Sequence, residues 1–536
     1  MNLLTDNWIP VRPQDSGSPR QISLQTLLCE KQAWELALPR DDMELAALQL
    51  LISLVQVIFP PKDKKLWLDR LKNPLSEEEY TQSIQQYLEW FQLDHPEYPF
   101  MQIRGVETVK DTLLDKILPG LRSSENGVFV NEQGLAKGLC ASCASIALFN
   151  QANNAPSFCG GVKAGLRSAN PVTTFIQGEN LAQAIWLNVI TLQNFKNCFM
   201  EIKNEKPNWV EPIKFIGMVG KKKNIKGGEK IYCSSIGLLR GLFWQPAHIE
   251  LQKIDNSIVH NCSCCGMEES KYSSLKFEKF SYEYSGFWRH PHSPCILTVK
   301  KGEKQQKFVN FTSPIPAWTQ LSRYVVKHEL DENNKEGQEP ALVIQQAKKY
   351  MGGNKNRLGL LVGGYRNDQA KILERRHEIL MLNQGWESHP KEIHDLVKHG
   401  IAYQSALYHA VLFFSEKKKE SEKNKDKRKL KKVGLSYKES KKTKYALVER
   451  ATTLFYRISE NVILDALATV DFNNPFPAFL MLDNKLTDIC RNIFEEITSL
   501  YQQDLELFYT LTIARQRILN TRLKNNRIQV SKEEAA

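Results

Sequence analysis

The sequence lacks the common signatures of a catalytic protein. It has no GxxxxGK(S/T) loop, so a P-loop ATPase is unsupported. It has neither a serine nucleophile elbow nor an HExxH pair. Long apolar runs are also missing. The longest stretch, Leu45 to Phe59, is interrupted by Gln49, Ser53 and Gln56. It is too short and too polar to span a bilayer and reads as a buried helix. The opening Met1-Asn2-Leu3-Leu4-Thr5-Asp6 has no basic region followed by an apolar one, so no secretory signal and a cytoplasmic protein are expected. Cysteine is scarce: 11 in 536 residues, an odd number and too few for a disulfide scaffold, which points to a reducing compartment.

What is present is a globular composition, 42% hydrophobic and 25% charged, which excludes a wholly disordered or fibrous chain. The length implies two or more domains. The net charge of +12 is unevenly spread. Between Glu416 and Lys444 lie 14 basic and 5 acidic residues, leaving 58 and 55 elsewhere. The body is therefore near neutral, and a nucleic-acid reading must rest on local patches. The basic segment has no aromatic before Tyr437 and reads either as a solvated linker or as a non-specific phosphate-neutralising insertion. Arg515, Arg517, Arg522, Lys524 and Arg527 form a second basic stretch, suited to backbone contact or to a solvated helix face.

The periodicity divides the chain. Asp41 with Glu44 predicts a capping box for the first long helix, which Pro60-Pro61 stops. Residues 63–102 read as amphipathic helix, and Leu114 to Leu121 as a short one. Phe280, Tyr282 and Tyr284 alternate with polar residues as on a half-buried strand, and Lys301-Gly302 predicts a hairpin. Ile393, Leu396, Val397, Ile401, Leu407, Val411 and Phe414 recur at helical spacing. So do Leu447, Ala451, Leu454, Phe455, Ile458 and Val462, with two further amphipathic segments at about 477–502 and 503–524. The fold class expected is α+β: a large mixed N-terminal domain over 1–385, then a C-terminal four-helix bundle over 386–536 with a basic insertion at 416–444.

The strongest chemical signal is a pair of Cys-x-x-Cys knuckles, Cys140 with Cys143 and Cys262 with Cys265, separated by 118 residues. Two-residue spacing lets both thiolates of a knuckle reach one tetrahedral ion, and two knuckles make a closed, structural zinc site. The alternative is a set of unrelated free thiols; Cys264 is spare in either case. His290-Pro-His292 beside Trp288 reads as a packed loop ahead of a ligand pair. Glu374 and His377 would share a helix face, as an ordinary surface. Cys159-Gly160-Gly161 lacks a cysteine-protease context and reads as a turn through which backbone approaches a ligand, or as a turn alone.

Several stretches together resemble the CasA family, the large subunits of type I-E CRISPR Cascade surveillance complexes. They are Asp6-Asn7-Trp8-Ile9-Pro10-Val11, Leu38 to Leu48, Ile146 to Asn153, Arg240 to Leu251, His290 to Cys295, Gly363 to Asn367 and Ile372 to His377. The likeness runs along the whole chain. It implies a non-catalytic subunit at the end of the complex that holds the guide RNA's 5′ handle. Such a subunit recognises the protospacer-adjacent motif on double-stranded DNA, helps open the duplex and recruits the helicase-nuclease. The implied partners are target DNA, CRISPR guide RNA and the other Cascade subunits, CasB, CasC, CasD and CasE; no membrane is implied.

By the same resemblance, Lys279 matches the family's minor-groove lysine finger and Gln369 its glutamine wedge. Phe158, Cys159, Gly160 and Gly161 match its glycine loop. Phe129, Val130 and Asn131 match a loop near the guide's handle. Cys159 stands where a glycine is expected and Asp368 where an asparagine is. The resemblance also places zinc at the cysteine knuckles. Two rivals remain. A zinc-containing nucleic-acid-processing enzyme would need an open metal site or clustered carboxylates, and the sequence shows neither. A purely architectural subunit would never touch DNA.

Overall fold

The computed structural model describes residues 1–108, 110–121, 135–156, 165–167, 169–196, 202, 204–212, 230–254, 260–278, 283–300, 302–330, 336–351, 356–368, 371–415 and 441–533. It forms two compact units. Unit one holds Met1–Pro314, Arg323–Met351 and Gly359–Ile379; unit two holds Ile315–Ser322, Gly352–Leu358 and Leu380–Ala536. Among the described residues no helix is long and apolar enough to cross a membrane.

Unit one opens with β1 (Ile9–Pro13), β2 (Arg20–Ile22), α1 (Leu24–Cys29) and β3 (Trp34–Leu36). The strands form an antiparallel sheet in the order β2-β1-β3. The helix α2 (Asp41–Ile58) follows and is buried on nearly every face. Two of its buried polar residues, Gln49 and Gln56, bind other segments, Gln49 by accepting from Arg167. The Gln56 amide donates to the Ile190 carbonyl and accepts from the Ile190 N–H, at 3.0 and 2.7 Å. The expected capping box does not form. Arg40 is the N-cap residue and makes no side-chain cap, while Asp41 sits inside the first turn and accepts from the N–H of Asp42. Three acidic side chains at that positive helix end still favour it.

Four further helices are spaced along the unit: α3 (Lys64–Arg70), α4 (Glu77–Ile84), then, after β4 (Thr112–Leu113), α5 (Ala141–Asn153) and, after β5 (Thr173–Ile176), α6 (Leu181–Leu187). Asp63, Ser76 and Asn180 cap α3, α4 and α6 through side-chain oxygens. The stretch expected as a helix from Leu114 is one 3-10 turn, Leu114–Lys116. The remaining elements of the middle region are α7 (Leu192–Lys196), β6 (Lys230–Tyr232), α8 (Leu238–Leu242), β7 (His248–Lys253), β8 (Tyr272–Glu278) and β9 (Glu283–Ser285). They pair as β4-β8-β7 and as a parallel β6-β9. Of the strand expected around Phe280, Tyr284 lies on β9, while Phe280 and Tyr282 lie outside the described residues.

The expected hairpin is present: β10 (Cys295–Lys300) pairs with β11 (Glu303–Phe308), and Gly302 takes φ +83° in the turn. After α9 (Leu321–Val325), β12 (Glu336–Glu339) and α10 (Leu342–Met351), β13 (Leu358–Asp368) and β14 (Lys371–Leu382) complete a sheet in the order β14-β13-β5. Glu374 and His377 therefore lie on a strand, and the helix expected there is corrected. Odd spacing on a strand puts them on opposite faces. Arg366 on β13 pairs with Glu374 at 2.8 Å, a cross-strand contact that favours the hairpin over a helix.

His290 and His292 are fully buried in unit one. His290 Nδ1 accepts from the His292 N–H, and His292 Nε2 lies 3.1 Å from the Asn188 carbonyl. Burial holds His292 neutral, lowered to about 3, and lowers His290 as well. An unfolded histidine takes its proton near 6.5. Between about pH 6.5 and 3 the unfolded chain binds more protons than the folded one, so stability falls on acidification through that window. His292→Asn, which has no proton to gain, is expected to show a shallower loss of thermal midpoint there than the parent; equal slopes would refute the buried neutral imidazole.

Unit two contains α11 (Pro390–Ser415), α12 (Lys441–Thr469), α13 (Phe476–Thr498) and α14 (Phe508–Glu533). Successive helices pack on one another, α14 packs back on α11, and α11 reaches α13 across the centre. This is the expected four-helix bundle, in an α+β chain. The buried seam of α12 runs through Val448, Ala451, Phe455, Ser459, Ile463 and Ala466. Ile458 lies one residue off it and is 41% exposed; Ile401 of α11 is 37% exposed. Of the basic segment, 416–440 lies outside the described residues and 441–444 begins α12.

The bundle encloses a polar contact. The Asp483 carboxylate lies 2.7 Å from His399 Nε2 and accepts from the Tyr403 hydroxyl at 2.7 Å, and the Thr487 hydroxyl donates to Tyr403. Removing one member of a buried pair strands the other. Asp483→Ala is expected to cost about 3–5 kcal/mol in denaturant unfolding of unit two, and a change under about 1 kcal/mol would show the contact to be dispensable.

Candidate metal centre

The two cysteine knuckles arise from different local structures. Cys140 is the N-cap of α5, with φ −70° and ψ 167°, and its sulfur accepts from the N–H of Cys143 at 3.4 Å. A sulfur there meets unpaired N–H groups and the positive helix end, both of which favour thiolate. The second knuckle is a turn. The Cys262 N–H donates to the Glu268 carbonyl at 2.7 Å, and the Gly266 N–H donates back to Cys262 at 2.9 Å. Gly266 has φ +71°, a conformation that side chains resist.

Backbone contacts hold the knuckles together. The Ser263 N–H donates to Gly138, and the Ser263 hydroxyl accepts from the N–H groups of Lys137 and Gly138. The Leu139 carbonyl accepts from the N–H groups of Lys271 and Tyr272, and the Leu139 N–H donates to the Tyr272 carbonyl. Gly138 has no room for a side chain, since a Cβ there would collide with Ser270 Oγ.

As a result, the Sγ atoms of Cys140, Cys143, Cys262 and Cys265 all lie within 4.8 Å of one another, and Cys140 and Cys265 are 3.9 Å apart. Four sulfurs bound at about 2.3 Å to one tetrahedral ion would be about 3.8 Å apart, so the cluster fits zinc after slight contraction. An all-sulfur tetrahedral set favours zinc or an iron–sulfur centre over hard cations. The thiols also share protons. Hydrogen bonds from Cys140 and then Cys143 draw Cys262 down to about 6 and lower Cys265, while Cys143 is raised in return. Four protein ligands leave no open position, so a bound ion would hold structure. His290 and His292 are not part of this group.

The resemblance assigns a second set of residues to DNA. Lys279, Gln369, Phe158, Cys159, Gly160, Gly161, Phe129, Val130 and Asn131 lie outside the described residues. Their flanks are described: Lys279 follows β8 directly, and Gln369 falls between β13 and β14. In the second basic stretch, Arg515 is bound to the Glu495 carboxylate, and the Arg517 guanidinium lies 4.2 Å from the centre of the Phe413 ring. The side chains of Arg522, Lys524 and Arg527 lie outside the described set.

The chain matches the family described as CRISPR-associated protein Cse1 over residues 2–494. It belongs to the Cse1 family. Solved structures agree in fold. CasA from Thermus thermophilus aligns at 17% identity with a TM-score of 0.70, covering 98% of this chain and 99% of that one. Thermobifida fusca Cse1 aligns at 15% identity with a TM-score of 0.72, covering 98% of each. A chain of a CRISPR RNA-guided surveillance complex aligns at 14% identity with a TM-score of 0.64, covering 97% and 99%. The resemblance read from the sequence is borne out.

Two buried polar features of this Cse1 chain carried no sequence signal. Arg167 is fully buried, with its guanidinium donating to Thr173, Ser293, Gln49, Asn153 and Asn154. These partners are all neutral, and burial lowers it to about 9. Asp42 accepts from Arg40 and from the Tyr365 hydroxyl, at 2.7 and 2.8 Å. Isolated arginines and aspartates look ordinary in a sequence, and only the fold shows which are enclosed.

Protein purified without chelators is expected to carry one zinc ion per chain by elemental analysis. Stripping it should lower the thermal midpoint of unit one, because structural zinc contributes folding free energy. Absence of zinc from such protein, with none taken up on addition, would refute the site.

Proposed function

We propose that the chain is the large, non-catalytic subunit of a type I-E Cascade complex. It assembles with guide RNA and with CasB, CasC, CasD and CasE, and recognises the protospacer-adjacent motif in double-stranded DNA. The observation that carries this reading is family membership over residues 2–494. The fold likeness to a chain of an RNA-guided surveillance complex supports it. The closed four-sulfur set favours it over a zinc enzyme, because no coordination position is left for substrate or water.

In this reading Lys279 donates to minor-groove acceptors, which A·T and T·A pairs largely share, so several flanking motifs are tolerated. The glycine turn, Phe158 to Gly161, approaches the same groove with backbone. Gln369 wedges the first base step, at an unstacking cost of roughly a few kcal/mol that protein–DNA contacts recover. Phe129, Val130 and Asn131 lie toward the guide's handle. Once the duplex opens, guide pairing reads the sequence, and the subunit recruits the helicase-nuclease.

The test uses the assembled, guide-loaded complex with motif-bearing and scrambled duplexes. Lys279→Ala and Gln369→Ala are each expected to weaken binding to the motif-bearing duplex by about 1–3 kcal/mol and to reduce discrimination. Equal affinity of the parent complex for both duplexes would overturn the reading. Unchanged binding by both variants would favour the architectural subunit.

A further inference from the structure

The four cysteines of the metal centre are not equally enclosed. Cys140, Cys143 and Cys262 are buried, whereas Cys265 is half-buried. Cys265 also lines a cavity of about 560 Å³ in unit one, and the other three do not. The cavity lies between the β1–β3 region, the start of α2, the segment around Glu179, and Met267. Met267, two residues beyond Cys265, is 44% exposed. Arg12, Glu35, Glu44 and Glu179 also line it. Arg12 is paired with Glu35 at 3.0 Å, so the acidic side chains in the lining outnumber the basic one.

We propose that this cavity is the route by which a metal ion enters and leaves the four-sulfur site, and that Cys265 is its exchangeable ligand. The inference rests on the metal-centre reading. The other three sulfurs belong to buried residues that do not line the cavity. A metal approaching from solvent through the cavity meets the Cys265 sulfur first. A departing metal gives up that bond first, because an incoming chelator donor can take its place from the cavity side. Carboxylates along the route favour a divalent cation over an anion. The same access makes Cys265 the ligand that thiol-directed electrophiles reach. With a maleimide, the Cys265 sulfur forms a carbon–sulfur bond to one alkene carbon, the metal–sulfur bond breaks, and the other alkene carbon takes a proton from water.

The test treats the full-length, zinc-loaded protein with limiting N-ethylmaleimide. It follows zinc release with a chromogenic chelator and adduct positions by peptide mass spectrometry. Among the four ligands, Cys265 is expected to be modified first, in step with zinc release. Modification of Cys140, Cys143 or Cys262 at the same rate or earlier would overturn the proposal. A second measurement uses Met267→Trp, which fills the mouth of the cavity. It is expected to slow zinc transfer to the chelator several-fold with zinc affinity unchanged, and an unchanged transfer rate would also overturn the proposal. If the protein holds no zinc, the metal reading itself fails. The proposal falls with it, whereas zinc held with Cys265 modified no faster than the other ligands overturns the route alone.

Discussion

The carboxylate of Asp42 is enclosed, and an enclosed charge must be paired where it stands. One partner is local, Arg40 at 2.7 Å, and two come from remote parts of the chain, Tyr365 of β13 and Arg375 of β14, at 2.8 and 3.4 Å. The Asn150 amide of α5 donates to the Tyr365 hydroxyl at 2.7 Å, and Arg40 also donates to the Pro119 carbonyl. One carboxylate thereby fixes where α2, α5 and the β13–β14 hairpin meet. Segments 38–48, 146–153, 363–367 and 372–377, which lie here, are four of the seven stretches that carried the family resemblance. Along the sequence they look like separate motifs. In the fold they are the walls of one buried polar site, which explains why those residue types occur together.

The cysteine cluster extends that frame. The Ser142 hydroxyl, inside the first knuckle, donates to the Trp8 carbonyl at 2.6 Å, and the Trp8 indole N–H donates to Leu3. The opening strand is tied in this way to the start of α5, and α5 to the turn at Cys262. The four-cysteine cluster and the Asp42 site thus grip the two ends of one helix: Cys140 is its cap and Asn150 lies in its last turn. A thirteen-residue helix held at both ends is a stiff member, and the chain that leaves it toward residue 157 starts from a fixed point.

How much of this was legible depends on the range of the interaction. The four-sulfur site was legible because its ligands lie two residues apart within each knuckle, so local spacing reports the geometry. The bundle was legible from helical periodicity, with an error at Ile458, because polar Ser459 occupies the seam position that the pattern gave to an isoleucine. Glu374 and His377 were misread as helical because a charged, half-exposed strand with few β-branched residues has little local signal; its pairing with β13 decides the matter. The Asp41 capping box failed because the helix begins one residue earlier than expected: Arg40 takes the N-cap position and Asp41 lies inside the first turn. The Asp42 network and Arg167 were illegible, since their burial depends in part on distant partners: Tyr365 and Arg375 for Asp42, Gln49 and Ser293 for Arg167.

The division of charge follows from the same frame. The body is close to neutral and spends its charged residues on internal pairs: Arg376 with Glu374 and Glu378, Arg70 with Glu79, Arg515 with Glu495. Cations engaged in this way are poorly available to phosphate, because a DNA contact would have to replace a geometry already satisfied. Arg515 was a plausible backbone contact from its position alone, and its carboxylate partner argues for a structural role. In the proposed role, affinity for DNA would then come from cations outside these pairs. Lys279, where β8 stops, and Gln369, between two long strands, are each joined directly to a held strand. A single ammonium or amide selects one groove position only if its attachment is stiff, because each loosely held rotor has to be ordered on binding. In the proposed DNA-binding role, Lys279 and Gln369 would draw on the strands they adjoin in sequence, β8 for the one and the β13–β14 pair for the other.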